Sequence, residues 1–388
     1  TRTAPKLDLT KTQDQKQLQE GFDALNKGDA ATAEATLQKL LDDSKSKYAQ
    51  AMALRGLAVL KYNAQDFKAA IGLLQRALDN GVLPNDDYFA MQYMMAVAQQ
   101  ADGQYQASLD TLKKWRAEGK KETAESYAVE SNDLYRLEKY PEAIAAVKKA
   151  KSLTDKPEPQ WDQILMASYA ASGQNDQLVQ LAQDNLAAHP DDPKVVEAAI
   201  QALQQAGKYP EAIKVMEDAR AKGLLGNEAD YVLLASLYYN QALSSDEPKP
   251  MADKAIAVIK EGMSKQIMQP SAENYVLLGK ADYVAGDIPA ATQAFQKALP
   301  LANDGEPALQ IANIELTNSQ YAKAKAMVNQ AISKGVKHMG NAYLVLAECE
   351  RGLNNKAARV AALKKAAQQP ESADRANELL KKLGAAGK

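Results

Sequence analysis

The sequence is poor in the residues that build disulfides, metal sites and thiol or imidazole catalysis. Its 388 residues include one cysteine, Cys349, and two histidines, His189 and His338. One cysteine excludes an internal disulfide, and these three residues do not stand at metal-ligand spacing. We therefore predict neither a metal site nor a cofactor. Because Cys349 stands inside a helical pattern, we expect it to be a buried apolar residue rather than a reactive thiol.

An excess of charge of one sign and long apolar runs are also missing. Lysine and arginine total 47 against 49 for aspartate and glutamate, so no strong field attracts nucleic acid or an anionic membrane. The longest apolar run is far shorter than the roughly 20 residues that a membrane-spanning helix needs. The sequence contains no phosphate-binding glycine loop, no HExxH and no GxSxG. It predicts a protein that is not an enzyme, does not span a membrane and does not bind nucleic acid.

The first residues are polar and include Pro5. We expect residues 1–12 to form a flexible lead-in. A first residue Thr1 fits a chain whose signal peptide has been removed, and equally a chain that was trimmed. The scarcity of cysteine and the many glutamines and alanines favour an exported, periplasmic bacterial protein, with a cytoplasmic location as the alternative.

One layout recurs along the chain and is clearest in residues 193–223. There an apolar helical pattern ends at Gly207, and Tyr209-Pro210-Glu211-Ala212-Ile213 opens a second helical pattern. The same five letters stand at Tyr140–Ile144. Positions equivalent to Ala212 recur 33 to 43 residues apart, at Ala33, Ala70, Ser108, Ala143, Leu178, Ala255, Ala291, Ala324 and Ala358. Two helices in a period near 34 residues predict an all-α solenoid of about ten helical hairpins.

The repeat also predicts the domain organisation. We assign residues 13–370 to one array of about ten hairpins, and expect a small residue where the two helices of each hairpin cross. The longest interval, of 43 residues, predicts an inserted surface loop at 241–250. Residues 371–388 form the C-terminal capping helix and tail, in which Ala376, Leu379, Leu380 and Leu383 share one side.

Several of these motifs resemble the tetratricopeptide repeat (TPR) family. They are Leu278-Gly279, Ala291-x3-Phe295 with Ala298, and the two Tyr-Pro-Glu-Ala turns. The family's early tryptophan is nearly absent, with Trp161 the nearest candidate. The resemblance implies a right-handed superhelix whose first helices line a concave groove that binds proteins or peptides. The sequence as a whole also resembles the envelope TPR proteins that accompany TonB-type energy-transduction systems.

Projecting the first helices onto such a superhelix places one tyrosine position toward the groove, four residues after the small residue of each helix. It is occupied by Tyr62, Tyr135, Tyr239 and Tyr283, which could form a ladder of amphipathic anchors or fill the ends of hairpins. The polar residues that we predict beside them are Arg55, Asn63, Asn132, Arg136, Lys280 and Asn313. A carboxylate clamp, which in TPR domains needs a Lys and an Asn one helical turn apart, is not supported. Met91, Met94 and Met95 fit core packing better than an adaptable contact surface.

Two functions remain open on the sequence. The first is a binding scaffold that holds a polypeptide partner in its groove within a bacterial envelope assembly. The second is a structural component that self-associates, or braces a multi-protein complex, through its convex face or its ends. The sequence leaves the partner's identity and the oligomeric state undetermined.

Overall fold

The computed structural model describes residues 2–5 and 11–384, and within them every regular element is a helix. The chain divides into two compact units, residues 1–188 and 189–388. The first unit contains α1 (Thr12–Asn26), α2 (Ala30–Asp43), α3 (Lys47–Asn63), α4 (Phe67–Asp79), α5 (Asn85–Ala101), α6 (Tyr105–Gly119), α7 (Ala124–Arg136), α8 (Tyr140–Ser152), α9 (Pro159–Ala171) and α10 (Asn175–Ala188). The second contains α11 (Pro193–Gln205), α12 (Tyr209–Ala221), α13 (Glu228–Leu243), α14 (Pro248–Ser264), α15 (Ala272–Val284), α16 (Ile288–Ala298), α17 (Glu306–Thr317), α18 (Tyr321–Lys334), α19 (Met339–Gly352), α20 (Lys356–Ala367) and α21 (Ala373–Lys382).

Helices α1 to α20 form ten consecutive packed pairs, each an odd-numbered first helix and the even-numbered helix that follows it. The predicted all-α repeat of helical hairpins is thereby confirmed. The residues equivalent to Ala212 lie in the second helices, and nine of the ten are buried, the exception being the half-buried Ala358. The small residue thus allows the two helix backbones to approach closely.

Most hairpins turn through a residue in the left-handed backbone region. In nine of the ten pairs the residue before the cap of the second helix has positive φ, and these residues are Gly28, Gln65, Gly103, Glu138, Gly173, Gly207, Gly286, Ser319 and Asn354. The cap itself follows directly. At Asp29, for example, the carboxylate accepts a 3.1 Å hydrogen bond from the amide of Thr32 and satisfies one of the unpaired N–H groups of α2.

Glycines also permit close contact between helices. A Cβ atom on Gly279 of α15 would lie 2.7 Å from a ring carbon of Phe295 in α16, and Phe295 is only 1% exposed. Since real Cβ atoms do not approach other heavy atoms so closely, this crossing requires glycine. The pairing of Leu278-Gly279 with Ala291-x3-Phe295 in the sequence therefore reflects a direct contact.

The predicted loop at 241–250 is longer than the connection that the structure contains. Helix α13 continues to Leu243 and α14 begins at Pro248, so only residues 244–247 connect them. The longer interval mainly lengthens the two helices, because residues 240–243 continue the helical pattern of α13 and Pro248 occupies a first-turn position, which proline tolerates.

A network of partly buried polar contacts holds this lengthened pair against α12. The Tyr231 hydroxyl donates to Glu261 at 3.0 Å, and the Tyr238 hydroxyl donates to Glu217 at 2.8 Å. Arg220 donates to Glu261 at 2.9 Å and to Glu217 at 2.6 Å. Each charged group therefore has a hydrogen-bonded partner, which buried charges require.

The two ends of the chain differ in how much the structure describes. Of the predicted lead-in, residues 1 and 6–10 lie outside the described residues, and so do residues 385–388 of the tail. Residues 2–5 contact the array through Arg2, and α1 begins at Thr12. At the other end, Ala376 and Leu380 of α21 are buried against α19 and α20, as a helix that ends a stack requires.

Candidate functional site

Successive first helices contact one another within each unit. In the second unit α13 contacts α15 and α17 contacts α19, and in the first unit α5 contacts α7 and α7 contacts α9. The first helices of a unit therefore share one surface, which we call the first-helix face. This is the surface on which the sequence places the predicted site residues.

A cleft of about 330 Å³ opens on the first-helix face of the second unit. It lies between α13, α15 and the start of α17, and we call it the Tyr239–Lys280 cleft because it brings together these two predicted residues. Its lining consists of Tyr239, Ala272, Glu273, Val276, Leu277, Lys280, Ala302, Asn303, Asp304, Glu306 and Pro307. Glu273, Val276, Leu277 and Lys280 recur at helical spacing, so one side of α15 forms most of one wall.

The polar groups of Tyr239 and Lys280 make no hydrogen bond or ion pair with the part of the chain that the structure describes. Tyr239 is half-buried, and this burial raises the pKa of its phenol. Lys280 is half-buried as well. The cleft therefore offers one hydroxyl and one ammonium group to an external molecule, beside the apolar surface of Val276, Leu277 and Pro307.

The cleft has three carboxylates, of which two accept hydrogen bonds from backbone amides of the chain. Asp304 accepts a hydrogen bond from the Glu306 amide at 3.1 Å, and Glu306 accepts one from the Lys337 amide at 2.8 Å. These two side chains hold the ends of the loop and of α17. Glu273 is exposed and makes no ion pair within the described residues. The cleft thus presents charges of both signs, Glu273 and Lys280, two helical turns apart.

The two other predicted residues of this unit lie outside the lining of the cleft. Tyr283 follows Lys280 by three residues in α15 and is 44% exposed. Asn313 of α17 is half-buried. Both lie on helices that contribute residues to the cleft.

In the first unit, two members of the predicted tyrosine ladder pack within their own hairpins. The ring of Tyr62 lies 5.3 Å from that of Phe67, and the ring of Tyr135 lies 5.7 Å from that of Tyr140, measured between centroids. In each case the partner opens the second helix of the same pair. The structure therefore favours the hairpin-end interpretation for Tyr62 and Tyr135, whereas Tyr239 and Tyr283 have no such ring contact within the described chain.

The polar residues predicted in the first unit are not gathered in one place. Arg55 forms an ion pair of 3.5 Å with Asp87 of α5, and Asp87 also accepts a 3.1 Å hydrogen bond from the Tyr48 hydroxyl. Asn63 and Arg136 are exposed at the ends of α3 and α7, and Asn132 is half-buried. Arg55 is thus satisfied internally, which the sequence did not reveal because Asp87 is 32 positions away.

A second cleft, of about 320 Å³, lies in the first unit beside α5, between Trp115 of α6 and the start of α7. Its α5 residues Asp86, Phe89, Ala90 and Tyr93 have the same spacing as Glu273, Val276, Leu277 and Lys280. Trp115 lines it too, and its ring centroid is 5.4 Å from that of Tyr93. Sequence reasoning missed this cleft. When α5 and α15 are aligned on Ala96 and Gly279, its α5 residues lie four positions earlier than those of the Tyr239–Lys280 cleft, so the alignment does not reveal it.

Sequence reasoning also missed a buried carboxylate in α7. Asp133 is fully buried, and burial raises its pKa to about 6, while the 2.8 Å hydrogen bond from the Gln100 amide acts in the opposite direction. The negative charge of Glu130 adds to the increase in pKa. Asp133 lies inside the hairpin packing and away from both clefts, so its role is in stability.

The remaining residues that the sequence singled out belong to the core. Met91 and Met95 are buried and Met94 is partly buried against the same cluster, as core packing predicts. Cys349 is buried, and burial raises the pKa of its thiol to about 11. Across residues 2–5 and 11–384 no His, Cys, Asp and Glu side chains gather into a group that could hold a metal ion. No helix in this part of the chain is long and apolar enough to span a bilayer.

A second exposed surface lies at the hairpin turns. Tyr209, Leu237, Asn240, Gln241, Ser244, Ser245 and Met251 line a cleft of about 700 Å³, which we call the Tyr209 cleft. Tyr209 is 49% exposed and Leu243, nearby in sequence, is 59% exposed. In the matching turn of the first unit, Tyr140 packs on Tyr135; here Gln204 stands at the position of Tyr135, so Tyr209 lacks that ring.

Comparison with known proteins gives similarity at the level of repeats. The Tetratricopeptide repeat family model matches residues 18–82. No curated protein matches the chain. A TPR protein from Parabacteroides merdae is similar in structure at 15% identity, with 74% of this chain and 93% of that chain covered and a TM-score of 0.43. A putative kinesin light chain with TPR-like repeats from Podospora anserina has 20% identity, 46% and 96% coverage and a TM-score of 0.39. The structure of the APC/C hetero-tetramer Cut9–Hcn1 has 13% identity, 96% and 90% coverage and a TM-score of 0.38.

The matched residues 18–82 span most of α1 and all of α2 to α4, which are the first two helical pairs. Most of the later pairs repeat the same layout, with a small buried residue at the helix crossing and a left-handed residue before the second helix. The chain therefore contains tetratricopeptide repeats, which the family model matches directly over residues 18–82.

Proposed function

We propose that this protein is a non-enzymatic interaction scaffold that binds a polypeptide segment of a partner protein in the Tyr239–Lys280 cleft. One observation carries the proposal: the hydroxyl of Tyr239 and the ammonium of Lys280 line the same partly apolar cleft and have no partner within the described chain. Half-buried polar groups gain stability when a ligand supplies their hydrogen bonds. A TPR fold by itself supports protein binding only in general, since function depends on the site.

The size and chemistry of the cleft indicate what part of a partner it takes. A volume of about 330 Å³ is at the small end for ligand pockets and suits one or two side chains. Val276, Leu277 and Pro307 supply an apolar wall for an aliphatic or aromatic side chain. A backbone carbonyl can accept from Tyr239, and a carboxylate can pair with Lys280. Tyr283 and Asn313 extend the same contact surface beyond the cleft.

The proposal is tested by comparing two double variants of the full chain. Tyr239→Ala with Lys280→Ala removes the polar groups of the cleft. Tyr105→Ala with Lys113→Ala removes the same residue types from α6, outside the clefts described above, and serves as the control; Tyr105 is half-buried, as Tyr239 is. A photo-crosslinking amino acid at position 283 would capture the partner in extracts of the source cells, and mass spectrometry would identify the crosslinked segment.

We expect the crosslinked partner to be lost from the cleft variant and retained by the control, with equal helical circular dichroism for both. Loss of one hydrogen-bonded anchor and one charge weakens binding by about tenfold or more. Equal crosslinking of the same partner segment by the two variants would remove the cleft from the binding surface.

The second candidate function, an assembly component that self-associates or braces a complex, is favoured by the Tyr209 cleft. Tyr209 and Leu243 expose apolar surface at the turn edge, where apolar side chains often mark contacts between proteins. Sedimentation of the wild type and of Leu243→Ser across a range of concentrations tests it. Concentration-dependent oligomers that disappear in the variant support assembly, and a monomer at every concentration counts against self-association.

We further propose, from composition alone, that the protein works in the bacterial periplasm as part of an envelope complex, for which TonB-type systems are the resemblance noted above. Fractionation of the source cells tests the location. Recovery with periplasmic markers supports it, and recovery with cytoplasmic markers supports the alternative.

A further inference from the structure

A group of residues at the start of α5 holds an arginine side chain. The backbone carbonyl of Leu83, the side-chain amide of Asn85 and the ring of Tyr88 are gathered there, and we call this group the Asn85 site. In the structure it is occupied by Arg2 of the same chain. The site is in the first unit, whereas the Tyr239–Lys280 cleft is in the second.

The Asn85 site contacts both the side chain and the backbone of the arginine. The guanidinium Nη1 of Arg2 donates to the Leu83 carbonyl at 2.7 Å and to Asn85 Oδ1 at 3.0 Å. Asn85 Nδ2 donates in turn to the Arg2 carbonyl at 3.2 Å. The guanidinium carbon lies 4.1 Å from the centroid of the Tyr88 ring. A planar cation that stacks and donates in two directions is what distinguishes arginine from lysine.

The surroundings of the site suit a positive charge. Asp86 and Asp87 stand in the first turn of α5, beside Asn85. The Tyr88 hydroxyl donates to Glu118 at 3.4 Å, which places another carboxylate at the far end of the ring that stacks on Arg2. Asp87 is engaged by Arg55, but Asp86 is exposed. The site is therefore complementary to a cation in charge as well as in shape.

The resident segment is held mainly by its arginine. Among residues 2–5, every hydrogen bond to the array within the described chain involves Arg2. Thr3 and Ala4 are exposed. A tethered segment competes with a partner only through its effective concentration, which for a short tether is in the millimolar range. A partner segment that adds further contacts can therefore replace it.

From these contacts we propose that the Asn85 site binds an arginine-bearing extended segment of a partner protein, and that residues 2–5 occupy the site until such a segment displaces them. Asn85 hydrogen-bonds both the backbone carbonyl and the guanidinium of the arginine, and the Tyr88 ring stacks on the guanidinium. The proposal rests on the proposed function only in that the ligand is again a polypeptide. Because the two sites share no residue, variants of one leave the other intact.

The probe for the test is a synthetic peptide with the sequence of residues 1–8, fluorescently labelled at its carboxyl end. Its host is the full chain carrying Arg2→Ala, in which the site has lost its resident side chain. Asn85 is the first residue of α5 and its side-chain hydrogen bonds are to Arg2, so Arg2→Ala with Asn85→Ala should keep the helix and lose only the site. Circular dichroism checks the fold of each host, and fluorescence polarisation measures binding.

We expect saturable binding of the peptide to the Arg2→Ala chain. The wild type should bind about tenfold or more weakly because its own Arg2 competes. The double variant should also bind about tenfold or more weakly, since hydrogen bonds to a charged group are lost. A peptide with Arg2→Lys should lose much of its affinity because lysine lacks the planar guanidinium.

Three results would overturn the proposal. The first is no saturable binding to the Arg2→Ala chain up to millimolar peptide. The second is equal affinity for the single and double variants, which would place the contact elsewhere. The third is equal affinity of the arginine and lysine peptides, which would show attraction by charge alone. None of these results bears on the Tyr239–Lys280 cleft, so the failure of this proposal is distinguishable from failure of the proposed function.

Discussion

Tyr238 and Tyr239 are consecutive residues of α13, and their hydroxyl groups have opposite surroundings. The Tyr238 hydroxyl donates to Glu217 at 2.8 Å inside the packed interface with α12. Tyr239 lines the Tyr239–Lys280 cleft, and its hydroxyl has no partner within the described residues. Helix α13 thus carries, side by side, one tyrosine whose hydroxyl stabilises the fold and one whose hydroxyl is available to a ligand.

This contrast gives a matched pair of substitutions. Tyr238→Phe removes a buried hydrogen bond to a carboxylate and should lower the free energy of unfolding by ~1–2 kcal/mol. Tyr239→Phe removes a hydroxyl without an internal partner and should change it by less than ~0.5 kcal/mol. Urea denaturation followed by circular dichroism measures both. Equal destabilisation by the two variants would show that the Tyr239 hydroxyl also supports the fold.

The turn residues of the two Tyr-Pro-Glu-Ala-Ile copies give a second prediction. Glu138 has φ of +59°, whereas the equivalent Gly207 has φ of +69°. A residue with a Cβ is strained in this region and glycine is not, so Glu138→Gly should raise the free energy of unfolding by ~0.5–1 kcal/mol. The reverse change, Gly207→Glu, should lower it by ~1 kcal/mol. Thermal unfolding measures both shifts, and the two changes must be opposite in sign if the turn geometry is the cause.

Two glycines inside helices should respond to alanine in opposite directions. At Gly279 the new methyl group would meet the buried ring of Phe295, and overpacking of this kind costs ~1–3 kcal/mol. At Gly72, in α4, no heavy atom lies within 4 Å of the new Cβ and the position is exposed, so Gly72→Ala should add ~0.5–1 kcal/mol through helix propensity. Chemical denaturation distinguishes them, and a neutral Gly279→Ala would show that Phe295 can move.

The buried carboxyl of Asp133 predicts a dependence of stability on pH. Its pKa is raised to about 6 in the folded chain from the ordinary value of 3.8, so between these two values the folded state binds the proton and the unfolded state does not. This group's contribution to stability is therefore greatest below pH 3.8, falls as the pH rises to 6, and stays low above that value. The shift corresponds to a cost on the order of 2–3 kcal/mol at neutral pH.

Asp133→Asn removes this titration while keeping an oxygen that can accept from Gln100. We expect the variant to be more stable than the wild type at pH 7 to 8, with the difference shrinking as the pH falls toward 4. Urea unfolding of both proteins at several pH values measures the difference, in which other titrating groups cancel. A difference that is constant across this range would mean that Asp133 is not the titrating group.

The fold could be predicted from the sequence because its determinants are local and repeated. Ala212 and its equivalents mark each helix crossing, and Gly207 and Gly286 mark turns whose geometry depends on neighbouring residues. The loop at 241–250 was predicted too long because its conformation is not determined locally. The sequence showed the length of the interval, but whether residues 240–243 extend α13 depends on packing against α14 and α12.

The site was predicted less completely, since its geometry depends on contacts between distant residues. Tyr62 and Tyr239 stand at equivalent positions of the repeat. The sequence could not show that the ring of Tyr62 packs against Phe67, whereas Tyr239 lines a cleft. Tyr239 and Lys280 are 41 positions apart, and only the packing of α13 beside α15 brings them together. The contact of Arg2 with Asn85 spans 83 positions and has no periodic signal.

The repeated Tyr-Pro-Glu-Ala-Ile turn shows how a duplicated unit can diverge without losing its structure. The turn at Tyr140 keeps an aromatic neighbour in Tyr135, whereas Gln204 stands at that position beside Tyr209. Helix α12 begins at Tyr209 just as α8 begins at Tyr140, so the difference between Gln204 and Tyr135 leaves the helix starts unchanged. It leaves the side chain of Tyr209 exposed. A single difference on one helix can thus free the tyrosine of one turn for a new contact, while the tyrosine of the other turn still packs within its own hairpin.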